Sequence, residues 1–291
     1  MSWLALALEA LLVAPALALL GLGFGVGDRF GVPMSLWPGA TAVVGAVLGE
    51  GLASRTGVSP LLALMVVVPL VFALVFGLGL VLTSRPDLGN DPVRHSAASV
   101  LVAAAALAVV VLWRGDGPLP MLAGDQPSLT ILSGPTISRA SLISAAAGLL
   151  AIGVLGAILQ VRRVRVRLAV LGRAPELLTV SGHDQRKVSA AFGALTACCG
   201  AVAGVLLARH QTLTPLSAVG LSVVGVEVAL LGVSGSFAGA LGAGAALSLV
   251  GAMGNEFRDG WGTLAGHLLV VAVLSAQPLR WRRAALLGGG S

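Results

Sequence analysis

Long apolar stretches separated by short polar ones set the pattern of this chain. The apolar stretches cover about residues 3–24, 33–53, 60–82, 96–113, 141–160, 189–208, 216–232, 236–253 and 262–276. They are continuous and do not alternate apolar with polar positions, so they predict helices. Most approach the roughly 20 residues needed to cross a bilayer. The expectation is an all-α integral membrane protein, a polytopic bundle of eight or nine transmembrane helices. It forms a single transmembrane domain over residues 1–291, with a polar loop at 161–188 inside it. A membrane β-barrel would instead show short alternating segments. The first stretch lacks a basic start and is long enough to span, so it reads as a retained helix and not a cleaved leader.

The second stretch breaks the pattern. It holds Pro33 and Pro38, then Gly39, Gly45, Gly49 and Gly51. Two readings stand. One is a broken or half-inserted helix, which survives at membrane depth only where protein or a watery cavity satisfies the backbone and so marks a pathway. On that reading Ser35 and Trp37 are pathway candidates. The other is an ordinary helix with proline in its first turn. A full crossing gives nine spans and an outside N-terminus; re-entry from the outer face gives eight and an inside N-terminus.

Composition supports the membrane reading. The chain is 57% hydrophobic and 10% charged, with a mean hydropathy of +0.98; soluble domains carry about 25% charged residues. Seven of the eighteen basic residues (Arg162, Arg163, Arg165, Arg167, Arg173, Arg186 and Lys187) fall in the 161–188 loop. Lys and Arg resist translocation, so this loop is cytoplasmic. By parity the Arg280, Arg282 and Arg283 tail and the 83–95 loop share its side, and the 114–140 loop lies outside. The net charge of +6 therefore reports orientation, and no nucleic-acid partner is expected. Trp3, Trp37, Trp113, Trp261 and Trp281 fall near segment ends, where tryptophans anchor at the membrane interface.

Little in the chain suggests catalysis. There is no His-Glu-x-x-His and no Cys/His metal spacing, so neither a metal nor a resident cofactor is expected. Cys198 and Cys199 are adjacent on a helix, point apart, and read as packing residues. Gly21-Leu22-Gly23-Phe24-Gly25 follows no strand and is not a nucleotide turn. Gly200 and Gly204 are four apart, as are Gly235 and Gly239, with Gly232 just before. Small residues one turn apart let helices approach closely, either as plain packing or as the wall of a pathway. Ser234 and Ser236 beside them are pathway candidates.

Glu227 stands inside the seventh stretch. An intramembrane carboxylate is costly and marks function by default. It would contact a substrate ammonium or a coupling ion, or simply bond a neighbouring helix. His267 reads as a packed, hydrogen-bonded histidine. Glu9 and Glu50 lie near segment ends and are expected to reach the headgroups.

Within the basic loop, residues 175–181 predict a short helix. Pro175 suits its first position, Glu176 its positive end and Gly182 the place just past its end. Leu177 and Leu178 would then face the cytoplasm as a docking knob for another subunit.

Here the chain resembles the membrane subunits of ATP-binding-cassette importers, whose coupling loop carries Glu-Ala-Ala-x-x-x-Gly. The corresponding stretch is Glu176-Leu177-Leu178-Thr179-Val180-Ser181-Gly182, with leucine in place of both alanines. It is similar in particular to the branched-chain amino acid permease family, which includes urea and amide permeases. The similarity extends through His183-Asp184-Gln185-Arg186-Lys187, Ala203-Gly204-Val205-Leu206, Leu231-Gly232-Val233-Ser234-Gly235-Ser236 and Gln277-Pro278-Leu279-Arg280, and covers about residues 138–283. Val233 replaces a glycine of that pattern, and the early Asn/His turn is missing around Ser35-Leu36-Trp37-Pro38-Gly39.

The resemblance implies a permease subunit in the bacterial cytoplasmic membrane, paired with a copy or a related chain. Two cytoplasmic ATPase subunits, which hold the ATP and Mg, would grip Pro175, Glu176, Leu177, Leu178 and Gly182. An extracytoplasmic binding protein would deliver branched-chain or other amino acids, amides or urea. The alternative is a stand-alone secondary transporter or channel with Glu227 as its ion-coupling group.

Overall fold

The computed structural model describes residues 3–30, 37–84, 92–115, 117–119, 128–130, 136–232, 236–258 and 260–276. The helices are α1 (Trp3–Phe30), α2 (Trp37–Thr56), α3 (Pro60–Ser84), α4 (Pro92–Arg114), α5 (Arg139–Gln160), α6 (Arg162–Arg173), α7 (Glu176–Val180), α8 (Gln185–Leu207), α9 (Ser217–Leu231), α10 (Phe237–Phe257) and α11 (Trp261–Ser275). Two three-residue strands, β1 (Ser128–Thr130) and β2 (Thr136–Ser138), pair antiparallel between α4 and α5. Ser138 at the end of β2 then caps α5, its side chain accepting from the Ala140 N–H.

Each apolar stretch of the sequence is helical over nearly all of its described residues, which is the architecture of a membrane protein. Among the described residues, five helices are long and apolar enough to cross a bilayer: α1, α3, α5, α8 and α10. The apolar part of α4 and the whole of α9 and α11 are shorter. A 15-residue helix such as α9 or α11 is about 22 Å long at 1.5 Å per residue, short of the roughly 30 Å hydrocarbon core. Eight or nine full spans are thus more than length and composition support among the described residues.

Helix α8 is the axis of the bundle. It packs against α1, α2 and α3, while α1 packs against α5, α9 and α10. Of the apolar window of α8, 78% is buried, against 22% for α3. Side-chain size contributes to the difference. Much of the buried face of α8 is small (Ala190, Ala194, Ala197, Gly200, Ala201, Ala203 and Gly204), although Phe192, Val205, Leu206 and Leu207 are buried with it. Helix α3 carries Leu62, Met65, Val66, Leu70 and Leu74 on its exposed face. Lipid is as apolar as leucine, so apolar character alone does not sort residues between core and lipid, and small residues gather where helix backbones cross closely.

Helix α2 shows this directly. A Cβ on Gly200 would strike the Pro38 carbonyl, and one on Gly204 would strike the Ala42 carbonyl. The Thr41 hydroxyl donates across the same crossing to the Ala197 carbonyl at 2.8 Å, sharing its hydrogen with Trp37 O of its own helix at 2.9 Å. Helix α2 therefore starts beside Ala197–Gly200, halfway along α8, in the interior of the bundle. From Trp37 onward it is unbroken, with Pro38 in its first turn, where the absent N–H costs nothing. Pro33 and Ser35 lie outside the described residues.

The tryptophans divide. Trp3, Trp113 and Trp261 are exposed near helix ends, as interfacial anchors should be. Trp37 is a correction. It is 5% exposed and packs with Val67, Val71 and Val75 of α3 and with Ala194 and Ala197 of α8. Its place at the head of a helix that begins inside the bundle removes it from the interface. Trp281 and the basic tail lie outside the described residues.

Candidate functional site

The basic loop is an ordered elbow, and more of it is helical than its sequence suggested. After α5 ends at Gln160, the chain turns at Val161 and forms α6, a helix missed in the sequence. Leu168 and Leu171 are buried, whereas Arg162, Arg163, Arg165 and Arg167 are exposed. Helix α6 contacts α1, α5 and α8, so it lies against one end of the bundle as a basic amphipathic helix does at a membrane surface. Its apolar positions were readable, but the run of arginines resembled a topology signal alone.

Ala174 ends α6 with φ −153° and ψ 69°, because the ring of Pro175 disfavours the helical region for the residue before it. Helix α7 follows at once, with Pro175 at its N-cap rather than inside its first turn. Its end is a Schellman cap: the His183 N–H donates to Leu178 O at 2.8 Å and the Gly182 N–H to Thr179 O at 3.0 Å, with Gly182 at φ +74°. That left-handed conformation is the reason for glycine there. Asp184 then caps α8, accepting from the Arg186 N–H at 3.0 Å.

The two leucines of α7 do not share a role. Leu177 is 56% exposed, but Leu178 is 2% exposed and belongs to the main core. The expectation that both face the cytoplasm is corrected. A five-residue helix turns too far between adjacent positions to present both on one side. Val180, 83% exposed, takes the second place on the outer face. A cleft of about 610 Å³ separates α6 from α7 and is lined by Arg162, Arg163, Arg167, Leu177 and His183.

A second candidate region is the α9–α10 hairpin. Gly232 and Gly239 face each other across it, each close to the other's backbone. Ser236 caps α10, its side chain accepting from the Gly239 N–H at 3.2 Å. Ser234 and Gly235 lie outside the described residues.

Glu227 of α9, 8% exposed, accepts a hydrogen bond from Nδ1 of His267 on α11. Both residues were singled out in the sequence, but their pairing was not; two ionisable residues in otherwise apolar stretches were the signal that they meet. Cys198 and Cys199 are free and buried. Cys198 Sγ donates weakly to Val68 O at 3.6 Å.

No family model matches this chain, and no match appears among curated proteins or solved structures.

The other end of the bundle carries a different charge pattern. Glu50 of α2 pairs with Arg114 of α4 and does not reach freely outward. In the turn after α8, Arg209 is 7% exposed and its Nε lies sealed without a partner, as does Nε2 of His210. Burial pushes both groups toward their neutral forms, and for His210 the adjacent Arg209 charge adds to the effect. Among the described residues no cluster of His, Cys, Asp or Glu could hold a metal.

Proposed function

We propose that this chain is the membrane-spanning permease subunit of an ATP-binding-cassette importer in a bacterial cytoplasmic membrane. It would form half of the translocation pathway for a small polar solute, of the class of branched-chain or other amino acids, amides or urea. The observation that carries the reading is the elbow. Helix α7 is pinned to the core by Leu178 and locked by its Gly182 cap, while Leu177 and Val180 stay exposed. A rigid short helix with an apolar outer face is what a moving partner needs in order to transmit force into a bundle.

On this reading a second permease subunit completes the pathway. Two cytoplasmic ATPase subunits holding ATP and Mg dock on α7, and an extracytoplasmic binding protein brings solute to the opposite face. ATP binding then biases the bundle between two packings through contacts that differ in the two states. The chain itself hydrolyses nothing.

The test uses the exposed positions. Leu177→Arg and Val180→Arg should abolish solute-stimulated ATPase activity in the reconstituted complex while leaving the permease folded. Leu178→Arg is not informative, because a buried charge would unfold the elbow. Unchanged transport by both surface variants would refute the docking role.

The Glu227–His267 pair favours a second reading, a stand-alone secondary transporter. A buried carboxylate bonded to an imidazole can exchange a proton with little rearrangement. Ion-driven uptake in liposomes without ATP, abolished by Glu227→Gln, would decide for it.

A further inference from the structure

A cleft of about 460 Å³ opens at the cytoplasmic end of the bundle, between α3, α5, α6 and α8. Its walls are apolar: Phe72 and Phe76 of α3, Leu168 of α6 and Phe192 of α8. The two phenyl rings of α3 stack at 5.9 Å with their planes 9° apart, and so form one continuous aromatic unit in this wall. Phe72 is 38% exposed, on the helix whose apolar window is the least buried of the five long ones. Two cations stand at the edge of the cleft, Arg167 from α6 and Lys187 from the first turn of α8. Both side chains are exposed, and Lys187 makes only a loose 3.9 Å pair with Asp184. Arg167 has no ion pair among the described residues.

The geometry points to a binding site for an anionic phospholipid of the cytoplasmic leaflet. The cleft is too small for a whole lipid and falls in the size range of small-ligand pockets, roughly 300–1,000 Å³. It takes part of one acyl chain against the phenylalanine wall. The phosphate then sits at the level where α6 lies on the membrane surface, between the Arg167 guanidinium and the Lys187 ammonium. Basic pockets between helices on the cytoplasmic side are built to hold such headgroups. Charge complementarity selects this occupant over a zwitterionic lipid, whose headgroup brings its own cation. An apolar peptide would leave both cations unanswered. The site goes beyond the importer reading and needs only that the chain lies in a bilayer with the basic elbow on the cytoplasmic side.

The ligand would brace α6 against α3 and α8, and so would stiffen the joint between the elbow and the bundle axis. The test places a fluorescent reporter in the wall, Phe76→Trp, in full-length protein whose native tryptophans (Trp3, Trp37, Trp113, Trp261 and Trp281) are replaced by phenylalanine, reconstituted in phosphatidylcholine vesicles. Phosphatidylglycerol with brominated acyl chains is then compared with brominated phosphatidylcholine as a quencher of the added indole. Phosphatidylglycerol should quench at lower mole fraction, by about fivefold for each cation engaged. Arg167→Gln with Lys187→Gln should remove that preference, while Arg162→Gln with Arg163→Gln, on the neighbouring cleft, should leave most of it. Both pairs are exposed, so unchanged thermal melting verifies that the variants fold. Equal quenching by the two lipids would overturn the proposal. So would a preference that survives the Arg167/Lys187 pair of changes, or one lost equally with Arg162 and Arg163, which would mark diffuse attraction to the whole basic surface.

Discussion

At the scale of single residues, the groups that matter are polar ones held inside an apolar pack. Glu227 and His267 satisfy each other across α9 and α11. Interhelical hydrogen bonds in membranes contribute about 0.6 kcal/mol on average and rarely more than about 1.7. Glu227→Gln preserves an acceptor for His267 and should cost less than about 1.7 kcal/mol in a reversible unfolding assay. His267→Leu should cost more, because it leaves a sealed carboxylate with no partner. His210 offers a pH test. Its folded state disfavours the proton through burial and the Arg209 charge, so the unfolded chain protonates first as pH falls. The stability it contributes is complete above its unperturbed pKa of about 6.5 and declines as pH drops below that value toward the lowered folded pKa. Thermal melts between neutral pH and pH 5 should show a decline that His210→Gln flattens.

At the scale of elements, the elbow shows how a short helix becomes a rigid part. Five residues cannot form a stable helix alone; α7 exists because Leu178 is buried and because both ends are fixed by backbone geometry. Gly182 is its most sensitive point. With φ at +74° and nothing within 4 Å of an added Cβ, a substitution there meets strain and not a clash. Gly182→Val should cost about 1–2 kcal/mol locally. Limited proteolysis should then cut between α7 and α8 faster than in the parent protein, with global melting little changed. Much of this element was legible: Pro175, Glu176 and Gly182 stand where helix-end rules put them. The split between Leu177 and Leu178 was not legible, since a one-turn helix has no periodicity from which to read a buried side. Helix α6 was hidden for a related reason. Its arginines carry the orientation signal, and that signal masks the apolar stripe through Leu168 and Leu171.

At the scale of the whole molecule, the asymmetry of charge sets the expected orientation, and small residues mark where helix backbones cross closely. The elbow end carries seven cations between residues 161 and 188, so it should face the cytoplasm. A cysteine placed by Arg163→Cys, with Cys198→Ala and Cys199→Ala to remove the native thiols, should label with a membrane-impermeant maleimide only in inside-out vesicles. Labelling in right-side-out cells would reverse the orientation and remove the docking face from the cytoplasm.

The amino-acid sequence by itself determined that the chain is helical and membrane-embedded, because long continuous apolar runs have no other stable solution in lipid. It also determined the basic elbow and the end signals of α7, which are local backbone and charge effects. Only the tertiary structure decided that α2 starts halfway along α8, that Trp37 is buried, that Leu178 turns inward, and that Glu227 meets His267. In lipid the hydrophobic pattern marks what enters the membrane but not which face meets which neighbour. That choice rests on close contacts such as Gly204 against Ala42, between residues more than a hundred positions apart, and no local pattern records them.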